Sequence, residues 1–261
     1  FLMDWDKAKN YLIMALAVLN IFLVISIVNH NNNVSIDNIY FSEKSLTDLH
    51  TMLDRRNVKI TTEIPEEIYN TGTVNVEYQT LSAAAYPLLF EEYQDRISVN
   101  SLKKLVILDS EINIEDSVDA ENFALKFIAR YLGDYTYELR NYTQDDGVIT
   151  FFYNPVYDGF AYEDSTLKFE FSDEGMKIVM IVMKPIDVSA TRTNAITSVE
   201  AILKAFPSMK ENTVITRIDF IYYFETASAE DIYKVKNARA FPCWRLMTSD
   251  NEFFYVPALE N

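Results

Sequence analysis

Two histidines, His30 and His50, and one cysteine, Cys243, are all the imidazole and thiol chemistry this chain holds. They cannot assemble a Cys/His zinc site, and a lone cysteine cannot close an intramolecular disulfide. A serine-type triad would have to enlist one of the histidines. His30 directly follows a long apolar run and His50 falls in a short helix, so both read as incidental. Cys243, between Pro242 and Trp244 in a strand-like stretch, reads as a small buried hydrophobe rather than an activated thiolate. Paired carboxylates occur at Glu91-Glu92, Asp145-Asp146 and Asp173-Glu174. Such pairs can share a proton or hold a cation, but these lie in polar, turn-like contexts and read as solvated loop charge. No calcium-loop spacing accompanies them. With only 5 glycines there is no phosphate-cradling loop either. No catalytic, metal-binding or cofactor-binding residue is assigned, and the chain reads as a non-enzyme without a cofactor.

The side chain that does call for chemistry is an amide. From Tyr11 to Val28 the chain runs YLIMALAVLNIFLVISIV, uncharged throughout, with Asn20 near its middle. As a helix these residues span roughly 27 Å, the thickness of a bilayer's hydrocarbon core. A core helix of this length would carry a polar stripe, and only Asn20 and Ser26 interrupt this one. Lys7 and Lys9 precede the run and the asparagine-rich stretch Asn29–Asn33 follows it. The positive-inside rule therefore places the N-terminus in the cytoplasm and the rest of the chain outside. No small-residue cleavage site follows Val28, so the run reads as an uncleaved single-pass anchor. Asn20 then has two readings. It is tolerated as one amide in a long apolar helix, or it hydrogen-bonds a neighbouring helix. On the second reading Ile13, Leu16, Ala17, Leu23 and Ile27 share its face, and Ala17 permits close approach.

Composition bounds the remainder. The net charge is −16 over 261 residues. That argues against nucleic acid and against anionic lipid surfaces, both of which need a basic footprint. Hydrophobic residues make up 49% and aromatics 14%, enough for a sizeable core.

After the tether, Leu46, Leu49 and Leu53 share a helical face with Ser45 as the expected cap. Strand-like alternation follows at 58–64 and 73–78, with a further piece at 104–108. Two blocks then share a plan. A helix capped by Ser117 or Asp119 runs to Gly133, followed by strands near 135–142, 148–153, 167–171 and 177–183, with Asp146-Gly147 as a hairpin turn. A second helix opens at Thr197-Ser198-Val199-Glu200 and ends at Pro207, followed by strands near 214–224, 240–248 and 253–257. The expected fold is α+β: antiparallel sheets, each packed with a helix, as a diverged tandem repeat. A sheet with a helix on one face would bury Phe169, Phe171, Ile178, Met180 and Val182 on opposite faces. Alternation also sets Trp244 and Arg245 on opposite faces, Trp244 in the core and Arg245 exposed or paired. Both residue types are enriched at recognition hot spots, which makes Arg245 a candidate outer-domain contact.

Particular residues resemble a known family. Met3-Asp4-Trp5 with Lys7 and Lys9, then Leu19-Asn20-Ile21-Phe22-Leu23, resemble the opening of the YycI (WalI) family of Gram-positive bacteria. On that resemblance Met3 is the natural start. Phe241-Pro242-Cys243-Trp244-Arg245-Leu246 and Phe254-Tyr255-Val256-Pro257-Ala258 are similar to the family's ending. Cys243 and Pro257 depart from it, standing where a small aliphatic residue and an asparagine are usual. The resemblance implies a membrane-anchored regulator of the sensor histidine kinase WalK (YycG), acting with the similar protein YycH. The last block also resembles the PepSY-like helix-and-sheet module.

The expected organisation is therefore a cytoplasmic tail (1–10), a transmembrane helix (11–28) and a tether (29–42). An N-terminal part of the outer domain (43–118), a first α+β unit (119–186) and a second, PepSY-like unit (187–261) complete it. Two functions of different class fit. One is a regulatory protein of a cell-wall two-component system. The other is an anchored module that binds an envelope ligand or inhibits a protease. A well-formed apolar pocket with convergent polar groups favours the second, and a broad exposed apolar patch favours the first.

Overall fold

Period-two burial marks several of this chain's strands. On β3 (Val74–Tyr78) the valines and Tyr78 are buried while Asn75 is exposed. On β9 (Thr166–Ser172), Leu167, Phe169 and Phe171 are fully buried between half-buried neighbours. That is the signature of a strand with one face on a core. The computed structural model describes residues 20, 43–100, 104–133, 136–189, 191–223 and 237–259. Its elements begin with α1 (Glu43–Asp54), β1 (Lys59–Ile60), β2 (Asn70–Thr71) and β3. Then come α2 (Pro87–Glu92), β4 (Ile97–Val99), β5 (Leu105–Asp109) and α3 (Ser117–Tyr131). The strands β6 (Thr136–Asp145), β7 (Val148–Tyr157), β8 (Phe160–Tyr162), β9 and β10 (Gly175–Ile181) follow. The chain continues through β11 (Met183–Val188), β12 (Thr193–Asn194) and α4 (Ser198–Ala205) to β13 (Val214–Tyr223), β14 (Asn237–Thr248) and β15 (Phe253–Pro257). The fold is a sheet-rich α+β arrangement. By compactness the chain divides into Phe1–Met52 and Leu53–Asn261, and the sheet lies wholly in the second unit.

Among the described residues, thirteen strands form one sheet in the order β11-β3-β14-β13-β8-β7-β9-β10-β5-β4, with β1 beside β13, β15 beside β14 and β6 beside β7. The short β8 is the stitch between its halves. It pairs antiparallel with β7 and parallel with β13, through Ile221↔Ala161 and Tyr222↔Tyr162. Strands from 43–118 enter both halves: β3 pairs with β14, and β5 with β10. At Asp146-Gly147, φ values of 47° and 77° make the left-handed turn that an antiparallel hairpin demands.

Each half carries a helix. On α3, Ala120, Ala124 and Phe127 are buried. Phe127 meets Phe169 edge to face at 5.4 Å, and Phe123 meets Phe171 at 5.7 Å. Here the register corrects an expectation. Ile178 pairs with Phe169 and Met180 with Leu167, so these side chains share one face, and Val182 joins them in the same core under α3. They are not divided between opposite faces. The cap of α3 is also one residue earlier than expected. Asp116 is extended (φ −100°, ψ 134°), and its carboxylate accepts from Val118 N at 2.8 Å and Asp119 N at 3.1 Å. A cap must have non-helical backbone, and Ser117 is already inside the helix. On α4, Thr197 Oγ1 accepts from Glu200 N at 3.2 Å, as its position foretold. α1 is described from Glu43 onward, so Ser45 lies within it, and its Leu49 and Leu53 are buried. Of the stretch 58–64 only Lys59–Ile60 is strand, parallel to β13.

Candidate functional site

On β14, Trp244 and Arg245 are neighbours and so point to opposite faces of the strand. Trp244, fully buried on the α4 side, donates from Nε1 to Ile196 O at 2.8 Å. Register carries the opposite face across three strands, pairing Arg245 with Asp219 on β13 and with Tyr255 on β15. Arg245 was expected to be exposed or paired, and a surface contact. It is paired, and at 1% exposure it is not on the surface. The cause is non-local, because residues of β6, β7 and the turn after β8 bond to this face.

The result is an ion network whose centre, Arg245 and Glu163, is buried and whose outer members reach the surface. Arg245 Nη1 reaches Glu163 Oε2 at 2.5 Å and Asn154 Oδ1 at 3.4 Å, while Nη2 and Nε both reach Asp219 Oδ2, at 2.8 and 3.2 Å. Glu163 Oε1 accepts from Tyr255 OH at 2.6 Å and pairs with Arg140 Nη2 at 2.5 Å. Asp219 Oδ1 accepts from Arg217 Nε at 2.8 Å. Arg217 in turn donates to Leu139 O at 2.6 Å and pairs with Glu138. Three arginines thus face three carboxylates and the formal charges cancel. Asn154 is held in place by donating to Tyr162 O, Glu163 O and Ser165 O. The Phe253 ring covers the cluster, 4.9 Å from the Arg140 guanidinium and 6.0 Å from that of Arg245.

Burial alone would make Arg245 easier to deprotonate. The charges of Glu163 and Asp219 outweigh it and hold the guanidinium above its ordinary value. Burial, then the charge of Glu163, pushes the Tyr255 phenol well above its usual range. Side chains from β6, β13, β14, β15 and the turn after β8 are tied together by these bonds, so the cluster is a clip between the sheet's halves.

Beside the clip lies a cavity of about 530 Å³. Its lining is in part aromatic and prolyl, with Tyr223, Phe241, Pro242, Tyr255 and Pro257, and in part made of the hydroxyl-bearing residues Thr73, Ser189, Thr191 and Thr193. Tyr255 belongs to both features, since its ring lines the cavity and its hydroxyl holds Glu163. Cys243 also borders the cavity, and its thiol is pushed up to about 12, chiefly by burial. A shallower groove of about 790 Å³ runs between α4 and the outer edge of β15.

Other residues singled out from the sequence fall elsewhere. His50 is exposed on α1. Glu92 pairs with Arg130 at 2.6 Å, and Asp145-Asp146 and Asp173-Glu174 sit exposed at turns. Among the described residues no His, Cys, Asp and Glu side chains cluster to hold a metal. Asn20 is helical and exposed. Ile13, Leu16, Ala17, Leu23 and Ile27 lie outside the described residues, as does the rest of the run Tyr11–Val28. No helix among the described residues is long and apolar enough to cross a membrane.

A model of the YycI protein family matches residues 36–259, a stretch that includes the whole ion network and the cavity beside it. The chain belongs to the YycI family. This is a family of regulatory proteins. No curated protein matches the chain by sequence. Among solved structures, the Bacillus megaterium YpeB C-terminal domain is similar at 12% identity and a TM-score of 0.38. The alignment covers 59% of this chain and 66% of that one, just under two thirds of the relative's length.

The clip's other members were not singled out from sequence. A signal for them existed. Arg217 and Asp219 are charges at alternate positions of β13, apolar otherwise except for Thr216, and Arg245 is the one charge within the apolar stretch 241–247, the pattern of a buried ion pair.

Proposed function

We propose that this YycI-family chain is a non-enzymatic, single-pass membrane protein that modulates the sensor histidine kinase WalK together with a YycH-like protein. The observation that carries this reading is the family match over residues 36–259. In it, Tyr11–Val28 crosses the membrane with the N-terminus in the cytoplasm, as Lys7 and Lys9 require, and the α+β domain stands outside. The two helix-and-sheet halves are read as diverged copies of one unit. Asn20, with Ala17, Leu16, Leu23, Ile13 and Ile27 on its face, contacts a partner helix.

Kinase output in cells carrying Asn20→Leu tests the reading. A lost interhelical amide contact of about 1 kcal/mol weakens association roughly fivefold, enough to modulate output. Replacing Tyr11–Val28 by an unrelated anchor has a larger effect. Unchanged kinase output in both variants, at matched abundance, assigns the helix to tethering alone. Loss of the whole chain without effect on the kinase overturns the proposal.

A further inference from the structure

We propose that the cavity beside the ion clip is a binding site for a neutral saccharide, an inference that stands independently of the kinase reading. Its 530 Å³ falls within the range of about 300–1,000 Å³ typical of ligand pockets and leaves space for about two sugar rings. Charge selects the class first. Among the described residues no Asp, Glu, Lys or Arg lines it. An anion would also approach a chain of net charge −16, and a cation would find no carboxylate inside.

The two kinds of lining narrow the class further. A pyranose presents a C–H face and a rim of hydroxyls. The rings of Tyr223, Phe241 and Tyr255 offer the apolar, π-rich surface for the first. Thr73, Ser189, Thr191 and Thr193 offer hydroxyls that both donate and accept for the second. A hydrocarbon chain would satisfy only one kind and would leave the hydroxyls facing carbon.

The lining is also built in advance. Tyr223 and Tyr255 stack with centroids 4.8 Å apart and planes 12° apart. The Tyr255 hydroxyl is anchored 2.6 Å from Glu163 in the clip. Gly72 lets the hydroxyl-bearing segments close, because a Cβ there would lie 2.4 Å from Thr191 O. Phe241, 42% exposed, stands at the rim where a ligand can reach it.

The full chain in lipid nanodiscs is titrated with chitotriose and cellotriose, with glycerol 3-phosphate and 1-hexanol as anionic and apolar comparisons, using saturation-transfer NMR. The expected result is transfer to the ring protons of at least one trisaccharide. Phe241→Leu, which keeps bulk but removes the ring, weakens binding by roughly tenfold, and Phe241→Trp retains it. Thr193→Val reads the hydroxyl-bearing lining should Phe241→Leu fold poorly. Near-UV circular dichroism checks the fold of each variant. No transfer to either sugar, transfer indifferent to both kinds of lining, or preference for the phosphate or the alcohol overturns the proposal.

Discussion

Arg245 and Glu163 meet at 2.5 Å with side chains only 2% and 5% exposed, joining the middle of β14 to the turn after β8. The pair holds together the two halves of the sheet, which are otherwise stitched by the short β8. Removing one member strands the other's charge in the interior, at a cost of about 3–5 kcal/mol. Arg245→Met should therefore lose about that much in chemical denaturation. Adding Glu163→Gln should cost far less than the sum of the two single changes. Strict additivity would show that the two do not act as a unit.

The Cys243 thiol should be inert in the native chain. Burial pushes it up to about 12, so its neutral form persists at pH 8 while an unfolded thiol begins to ionise. The contribution to stability is complete below the unfolded thiol's range and is lost as pH rises through the folded value. Iodoacetamide at pH 8 should label Cys243 only after denaturant is added. Rapid labelling of folded protein would refute the burial.

Glu170 gives the acid counterpart. Burial alone would raise its carboxyl, but Lys168 at 2.5 Å and Lys177 at 2.9 Å outweigh it and hold it below the usual range. The unfolded chain then takes up the proton first as pH falls. The contribution is present above the unfolded carboxylate range and lost as pH falls through the folded value. Melting followed from pH 6 to 3 should show the native chain losing more stability than Glu170→Gln. Parallel curves would exclude the linkage.

Two substitutions under α3 should differ in size. Asp116→Ala removes the acceptor for two backbone amides and should cost about 0.5–2 kcal/mol. Phe169→Ala opens a cavity where a fully buried ring meets Phe127, and should cost about 3–5 kcal/mol. Equal losses by urea denaturation would contradict the burial assigned to one of them.

Much of the fold was legible locally. Thr197 and Glu200 announced the start of α4, Asp146-Gly147 a hairpin, and the alternation from Leu167 to Phe171 a half-buried strand. Each signal depends on residues within one turn or one strand, where backbone geometry alone sets which side chains are neighbours. The opposite orientation of Trp244 and Arg245 was legible for the same reason.

What covers each face was not. Arg245 is interior because Glu163, Asn154 and Arg140, all distant in the chain, close over it, and no local period encodes that arrival. The cavity likewise needs Thr73, Ser189 and Phe241 to meet from three separated segments. Even the shared face of Phe169 and Ile178 was settled by strand register, since a slip of one residue would turn the whole strand over. Period, caps and turns belong to the chain itself, whereas the partner across a sheet depends on long-range packing that no single stretch of sequence specifies.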